Sequence, residues 1–156
     1  MIKKILIGAV VILVAIQFIN VDKTNPPVDE TLTLKAPEEV MAVLKQSCFD
    51  CHSNETKWPS YADIAPMSFV VADHVKDARR AMNFSQWNLI TKETKVLRLK
   101  RAIVTVKNGM MALPSYVAAH EEAELSPEDK NILINWFESE LKTLGEDNNN
   151  YLFQVK

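Results

Sequence analysis

Glycine is scarce in this chain of 156 residues, with only Gly8, Gly109 and Gly145 present. Folds built only from β-strands usually need more turn glycines, so we expect an all-α protein. The net charge is −2, which gives no global argument for binding nucleic acid. With 47% hydrophobic residues, the chain can build a core and should fold.

Cysteine is also scarce, since the chain has only Cys48 and Cys51. A disulfide scaffold would normally show several cysteines spread over the chain. A four-ligand zinc site would need two further close-set ligands, and His74 and His120 lie far from the pair and from each other. These absences argue against a disulfide scaffold and against a local zinc knuckle at the two cysteines.

The two cysteines form one compact motif, Cys48-Phe49-Asp50-Cys51-His52. Two thiols at this spacing can form thioethers with the two vinyl groups of one haem, and the adjacent histidine then reaches the iron as the proximal ligand. The pattern is a recognised haem-attachment signature. A thiol–disulfide site, with Cys48 as nucleophile and Cys51 as resolving thiol, is an alternative that expects a βαβ context. We find no convincing strand pattern around the motif. A plain structural disulfide between Cys48 and Cys51 is the third interpretation of the pair.

Residues 1–21 are predicted to form a signal anchor or a signal peptide, because Lys3 and Lys4 precede an apolar stretch. No small-x-small cleavage site follows, which favours an uncleaved anchor, although the stretch is at the short end for crossing a bilayer. The lysines should stay in the cytoplasm. We therefore expect the remaining chain on the periplasmic side of the inner membrane, or free in the periplasm after cleavage.

The remaining chain divides into three parts. Residues 22–36 are polar and contain Pro26-Pro27, which indicates a flexible tether. We expect the haem-binding domain over 37–145 and a C-terminal tail over 146–156.

Five helical segments are predicted within the domain. One opens at Pro37 and ends at Cys48, one covers 69–82, and a short one is capped by Ser85. A stronger helical pattern of apolar residues covers 91–108. The last helix starts at Ser126 and ends at Gly145. Residues 110–124 are predicted to form a loop. A haem would lie between the first helix, this loop and the final helix.

The loop supplies the candidate for the sixth iron ligand. Met111 follows Gly109 and precedes a proline, Met110 is adjacent, and Met67 is a weaker candidate. His74 or His120 would instead make a bis-histidine haem. Histidine and methionine ligation suits electron transfer.

Other side chains have two interpretations each. Trp58 and Tyr61 either line the haem edge or belong to the ordinary core. Arg79 and Arg80 could pair with the haem propionates, but a solvated helix face is favoured.

The predicted helix over Lys92–Lys107 is rich in basic residues. It could steer an acidic redox partner, although a solvated exterior is again the favoured interpretation. We expect no nucleic-acid partner.

Several segments together resemble the bacterial haem-binding domain family of monohaem c-type proteins. The matching segments are Cys51-His52-Ser53-Asn54-Glu55-Thr56, Trp58-Pro59, Tyr61, Ile64-Ala65-Pro66, Asn83-Phe84-Ser85-x-Trp87, Gly109-x-Met111, Leu113-Pro114-Ser115-Tyr116, His120 and Leu125-Ser126. The resemblance covers roughly 37–144.

The resemblance implies a cytochrome c-like small helical domain around one covalently bound haem c. It implies attachment at Cys48 and Cys51, with His52 as proximal ligand and Met111 as distal ligand. Family members more often have proline after that methionine, where this chain has Ala112, so Met110 stays open as an alternative.

Three functional hypotheses follow. The first is an exported, non-enzymatic electron carrier. The second is a haem-based sensor or small peroxidase with an open distal site. The third is a haem-free thiol–disulfide oxidoreductase.

Overall fold

The computed structural model describes residues 1–146, and every regular element in that range is helical. The helices are α1 (Ile2–Ala15), α2 (Glu38–Ser47), α3 (Phe49–His52), α4 (Met67–Ala81), α5 (Lys92–Lys107), α6 (Pro114–Val117) and α7 (Pro127–Thr143). Short 3-10 turns occur at Ile16–Phe18, Ser60–Asp63, Phe84–Leu89 and Glu121–Ala123. Apart from residue 146, the expected C-terminal tail lies outside the described residues.

Local signals at the ends of α7 determine its limits. The Ser126 side chain accepts a hydrogen bond from the Asp129 N–H, and the Asp129 carboxylate accepts one from the Ser126 N–H, which completes a capping box. After the helix, Gly145 has a φ of 76°, a left-handed conformation that favours glycine. The predicted start and end of this helix are confirmed.

The core lies between α2, α5 and α7, with α7 packed against both of the other helices. Leu44, Leu99, Leu133 and Leu141 are fully buried there. Each such side chain stabilises the fold by about 1.5 to 3 kcal/mol through removal of apolar surface from water. This packing fixes the C-terminal end of α2, and so fixes the point at which the Cys48 motif begins.

The structure differs from the sequence predictions near residue 85. Asn83, not Ser85, caps the 3-10 turn, because its side chain accepts a hydrogen bond from the Ser85 N–H. The Ser85 hydroxyl instead accepts a hydrogen bond from the N–H of Asn54. The predicted loop over 110–124 also contains α6 and one 3-10 turn.

The N-terminal helix α1 leaves its apolar side chains exposed. Within residues 1–146, no helix combines the length and apolarity needed to cross a membrane. Just after α1, the Gln17 side chain makes two hydrogen bonds with the backbone of Ala65, at 2.9 and 3.0 Å. These bonds join the N-terminal segment to the domain at one point.

Residues 22–36, for which we expected a flexible tether, lie along the domain; we call them the strap. Leu34 is buried, and its N–H donates to the Phe84 carbonyl at 2.8 Å. The side-chain amide of Asn25 donates to the Thr56 carbonyl at 2.9 Å. The strap therefore contacts two parts of the domain: the loop that follows the Cys48 motif, and the turn that begins at Asn83.

Candidate functional site

A cavity of about 370 Å³ opens between α2, α3, α4, α5, α7 and the segment 111–116. Its walls are mainly apolar, and Leu44, Phe84, Leu133 and Phe137 contribute to them. Cofactor sites are typically apolar clefts of this size with a few placed polar groups. Among the lining residues are four predicted site residues, Cys48, Cys51, His52 and Met111.

His52 is held by its backbone surroundings. Its Nδ1 lies 2.9 Å from the Met82 carbonyl oxygen, which can only accept a hydrogen bond. Nδ1 therefore carries the ring proton, and Nε2 keeps a lone pair. Burial lowers the pKa of His52 and so favours the neutral ring. A neutral imidazole oriented by a backbone carbonyl is the usual state of a metal-binding histidine.

A buried polar network holds the loop that follows His52. The side-chain amide of Asn83 donates to the Asn54 side-chain oxygen at 2.9 Å, and Ser85 accepts from the Asn54 N–H at 3.0 Å. The Ser53 hydroxyl donates to the Phe49 carbonyl at 2.7 Å. The network joins the motif, which contains His52, to the turn that follows Met82. It therefore fixes the position of the His52 ring relative to the Met82 carbonyl.

Cys48 and Cys51 are both free thiols on the cavity wall. Burial raises the pKa of Cys48 to about 12. Burial, and then the nearby Asp50 carboxylate, raise the pKa of Cys51 to about 11. Both thiols are therefore protonated at neutral pH, whereas a disulfide-exchange nucleophile has a lowered pKa. This environment does not favour the thiol–disulfide hypothesis.

The structure separates the candidates for the second iron ligand. Met111 lines the cavity, whereas Met110 is 49% exposed and is not among the lining residues. Met67 is also exposed and away from the cavity. His74 lies at the cavity wall on α4 with an exposed side chain. His120 lies outside it, with Nε2 2.9 Å from the Tyr61 hydroxyl.

Trp58 and Tyr61 are not among the residues that line this cavity. Trp58 lines a second cavity, which is formed with the strap and α4. Tyr61 bonds to His120 instead, and the His120 ring stacks on Tyr116 at 4.3 Å. The structure therefore does not bring these two aromatic residues to the predicted cofactor edge.

Arg79 and Arg80 have other partners. The Arg79 guanidinium donates to the Ser53 carbonyl at 2.8 Å and to the Asn25 side chain at 2.7 Å, so it joins the strap to the motif loop. Arg80 forms an exposed ion pair with Asp77 at 3.1 Å. Arg79 thus stabilises the loop after His52, a role that its sequence position did not indicate.

Tyr116 belongs to one of the segments that carry the family resemblance, but the sequence alone indicates no role for it; in the structure it lines the cavity. Its hydroxyl donates to Asp50 Oδ2 at 2.7 Å. Burial, together with this hydrogen bond, raises the pKa of Tyr116. Since Asp50 lies between the two cysteines, this contact joins the motif to the segment that carries Met111.

Two arginines of α5, Arg98 and Arg101, also line the cavity. With Ala102 and Thr105 they form a helical stripe at spacings of three and four residues. That spacing was visible in the sequence, but nothing in the sequence showed which face of α5 meets the cavity.

The donor set identifies the class of ligand. An imidazole nitrogen, a thioether sulfur and two thiols line one apolar cavity. The buried Ser47 hydroxyl beside them has no hydrogen-bond partner within residues 1–146. Histidine and methionine are haem-iron ligands, and an apolar cleft accommodates a porphyrin. The fold and the site together define a small helical haem protein.

The comparison with known families agrees with this class. A sequence profile of the haem-binding domain family matches residues 11–139, so the chain belongs to that family. No curated protein and no solved structure matches the chain.

Proposed function

We propose that the protein is an exported monohaem c-type cytochrome that carries electrons. In this proposal His52 and Met111 ligate the iron, and Cys48 and Cys51 attach the haem covalently. The proposal rests chiefly on one observation: His52, with Nδ1 fixed by Met82, shares an apolar cavity with both thiols and Met111.

The attachment chemistry suits the two thiols. Each thiol adds across one vinyl group, so that a sulfur–carbon bond forms and the thiol hydrogen goes to the other vinyl carbon. No net oxidation occurs in this addition. Both half-buried thiols have a raised pKa, so each carries that hydrogen at neutral pH.

Electron transfer requires ligands that keep their positions in both oxidation states. When bound, a haem with histidine and methionine ligands supplies a one-electron couple of raised potential. The Met82 carbonyl orients the His52 ring, and the Phe84 ring lies 5.9 Å from it. Met111 packs against the hydrophobic core. This support limits the movement of both side chains, which favours rapid electron transfer.

Export and membrane anchoring are part of the proposal. Lys3 and Lys4 lie in the first turn of α1, and the exposed apolar side chains of this helix suit a lipid environment. Ile64, Met67 and Val70 are also exposed, close in sequence to Ala65, where Gln17 is bound. They place further exposed apolar side chains near the point where Gln17 meets the domain.

The basic helix α5 supports only a limited docking surface for a redox partner. Lys92 and Lys107 are exposed. Lys100 is buried and pairs with Glu146 at 3.2 Å, while Lys95 lies over the Trp87 ring at 5.5 Å. We propose that an acidic partner docks at the exposed basic positions.

Covalent attachment is tested by denaturing the protein after expression with haem-maturation machinery. We expect the polypeptide to keep haem stain, with an intact mass increased by one haem. Cys48→Ser and Cys51→Ser should each keep one thioether and give less holoprotein, and the double variant should lose all haem on denaturation. Ser60→Ala, an exposed matched control, should behave like the wild type. Complete release of haem from the denatured wild type would contradict the proposal.

A further inference from the structure

Helix α5 places two permanent positive charges on the cavity wall, at Arg98 and Arg101. Arg98 is half-buried, and its Nη2 donates to the Arg80 carbonyl at 3.2 Å, near the C-terminal end of α4. Arg101 lies one turn further along α5 and is exposed. The pair therefore stands where the cavity meets solvent between α4 and α5.

The other charged and titratable groups of the lining do not balance these two charges. Asp77 of α4 pairs with Arg80, and His74 lies on the same helix. The Tyr116 hydroxyl donates to Asp50, and the other lining residues of the motif, Cys48, Cys51 and His52, carry no carboxylate. Within residues 1–146, neither Arg98 nor Arg101 forms an ion pair. The cavity thus has a net cationic edge on α5.

We propose that Arg98 and Arg101 bind the two propionate carboxylates of the haem. The inference rests on the proposed covalent attachment. Vinyl groups and propionates occupy opposite edges of a porphyrin, so thioethers at Cys48 and Cys51 turn the carboxylates away from the motif. Arginine suits this ligand because its planar guanidinium can bind a carboxylate through two parallel hydrogen bonds.

Binding of this kind has an electrochemical consequence. A nearby arginine favours the ionised propionate and lowers its pKa. Ionised propionates stabilise ferric iron, so the midpoint potential falls as pH rises through that pKa. Loss of either arginine moves this fall to higher pH.

The test is the pH dependence of the midpoint potential of the purified holoprotein. In Arg98→Gln and Arg101→Gln we expect propionate proton affinity to increase by about tenfold, the lower end of the effect of a neighbouring opposite charge. In Arg98→Lys, the dependence of the midpoint potential on pH, which we call the profile, should stay close to that of the wild type. The control Lys92→Gln/Lys107→Gln loses two charges from the same helix without altering the cavity wall, and its profile should not move.

Each outcome decides a separate claim. Covalent haem with an unmoved profile in both glutamine variants would overturn the propionate assignment alone. An equal shift in the lysine control would also overturn it, because the effect would then be one of overall charge. Absence of covalent haem from the wild type would instead reject the proposed function.

Discussion

His52 illustrates how a single residue is prepared for its role by its neighbours. The Met82 carbonyl accepts a hydrogen bond from the Nδ1–H of His52, and burial favours the neutral ring. The motif places His52 beside Cys51 in the sequence, but it does not reveal that Met82, thirty residues later, orients the ring. This partner could not be predicted because it depends on how α4 packs against α3.

Met111 is the residue on which the proposed redox chemistry depends most. We predict that Met111→Ala opens the sixth position, gives a high-spin ferric spectrum and lowers the midpoint potential. The control is Met110→Ala, which removes the adjacent exposed side chain and should leave both properties unchanged. The measurement is an optical redox titration. Identical behaviour of Met111→Ala and the wild type would exclude Met111 as a ligand.

Asn83 is predicted to be a stability determinant. Asn83→Ala removes its bonds to Asn54 and to the Ser85 N–H, and leaves both buried partners unsatisfied. We expect a loss of about 2 to 4 kcal/mol in the free energy of unfolding, measured by urea denaturation. Gln86→Ala, at an exposed position of the same turn, should cost less than about 1 kcal/mol. Equal effects of the two substitutions would refute the role of the network.

At the scale of elements, helix limits were the most predictable feature. The periodic pattern and flanking signals of α5 and α7 are local, and Thr91, Ser126 and Gly145 act at the predicted ends. The faces of α5 were less predictable. Leu99 faces the core, Arg101 faces the cavity and Lys100 pairs with Glu146, and these directions depend on packing against other helices.

The capping box of α7 gives a prediction at this scale. Ser126→Ala removes the side-chain acceptor for the Asp129 N–H and should lower the free energy of unfolding by about 1 kcal/mol. Thermal denaturation followed by circular dichroism measures the change. Ser139→Ala, at an exposed position inside the same helix, should have little effect. A stability loss at Ser139 as large as that at Ser126 would show that capping is not the cause.

At the scale of the whole molecule, the strap shows what composition cannot reveal. The polar sequence with Pro26-Pro27 indicates extended backbone, and the structure has no regular helix or strand there. Burial of Leu34 and the bonds of Arg79 to the strap involve residues distant in sequence. Four of the lining residues, Cys48, Cys51, His52 and Met111, were predictable because each belongs to a sequence signature.

The proposed anchor is tested by cell fractionation and immunoblotting. We expect the wild-type protein in the membrane fraction, from which detergent but not salt releases it. Val10→Asp/Val14→Asp should be depleted from that fraction, because each Asp costs about 3 kcal/mol at the centre of an inserted helix. Val28→Asp, an exposed position in the strap, should remain with the membrane. Wild-type protein in the soluble fraction would refute the anchor.

The central claim, a covalently attached haem with His52 and Met111 as iron ligands, is tested most directly by the visible spectrum of the purified holoprotein in both oxidation states. The account predicts six-coordinate, low-spin iron in each state, with a methionine-to-iron charge-transfer band in the ferric protein. A high-spin ferric spectrum that changes on addition of small ligands would contradict it, since the distal position would then be open.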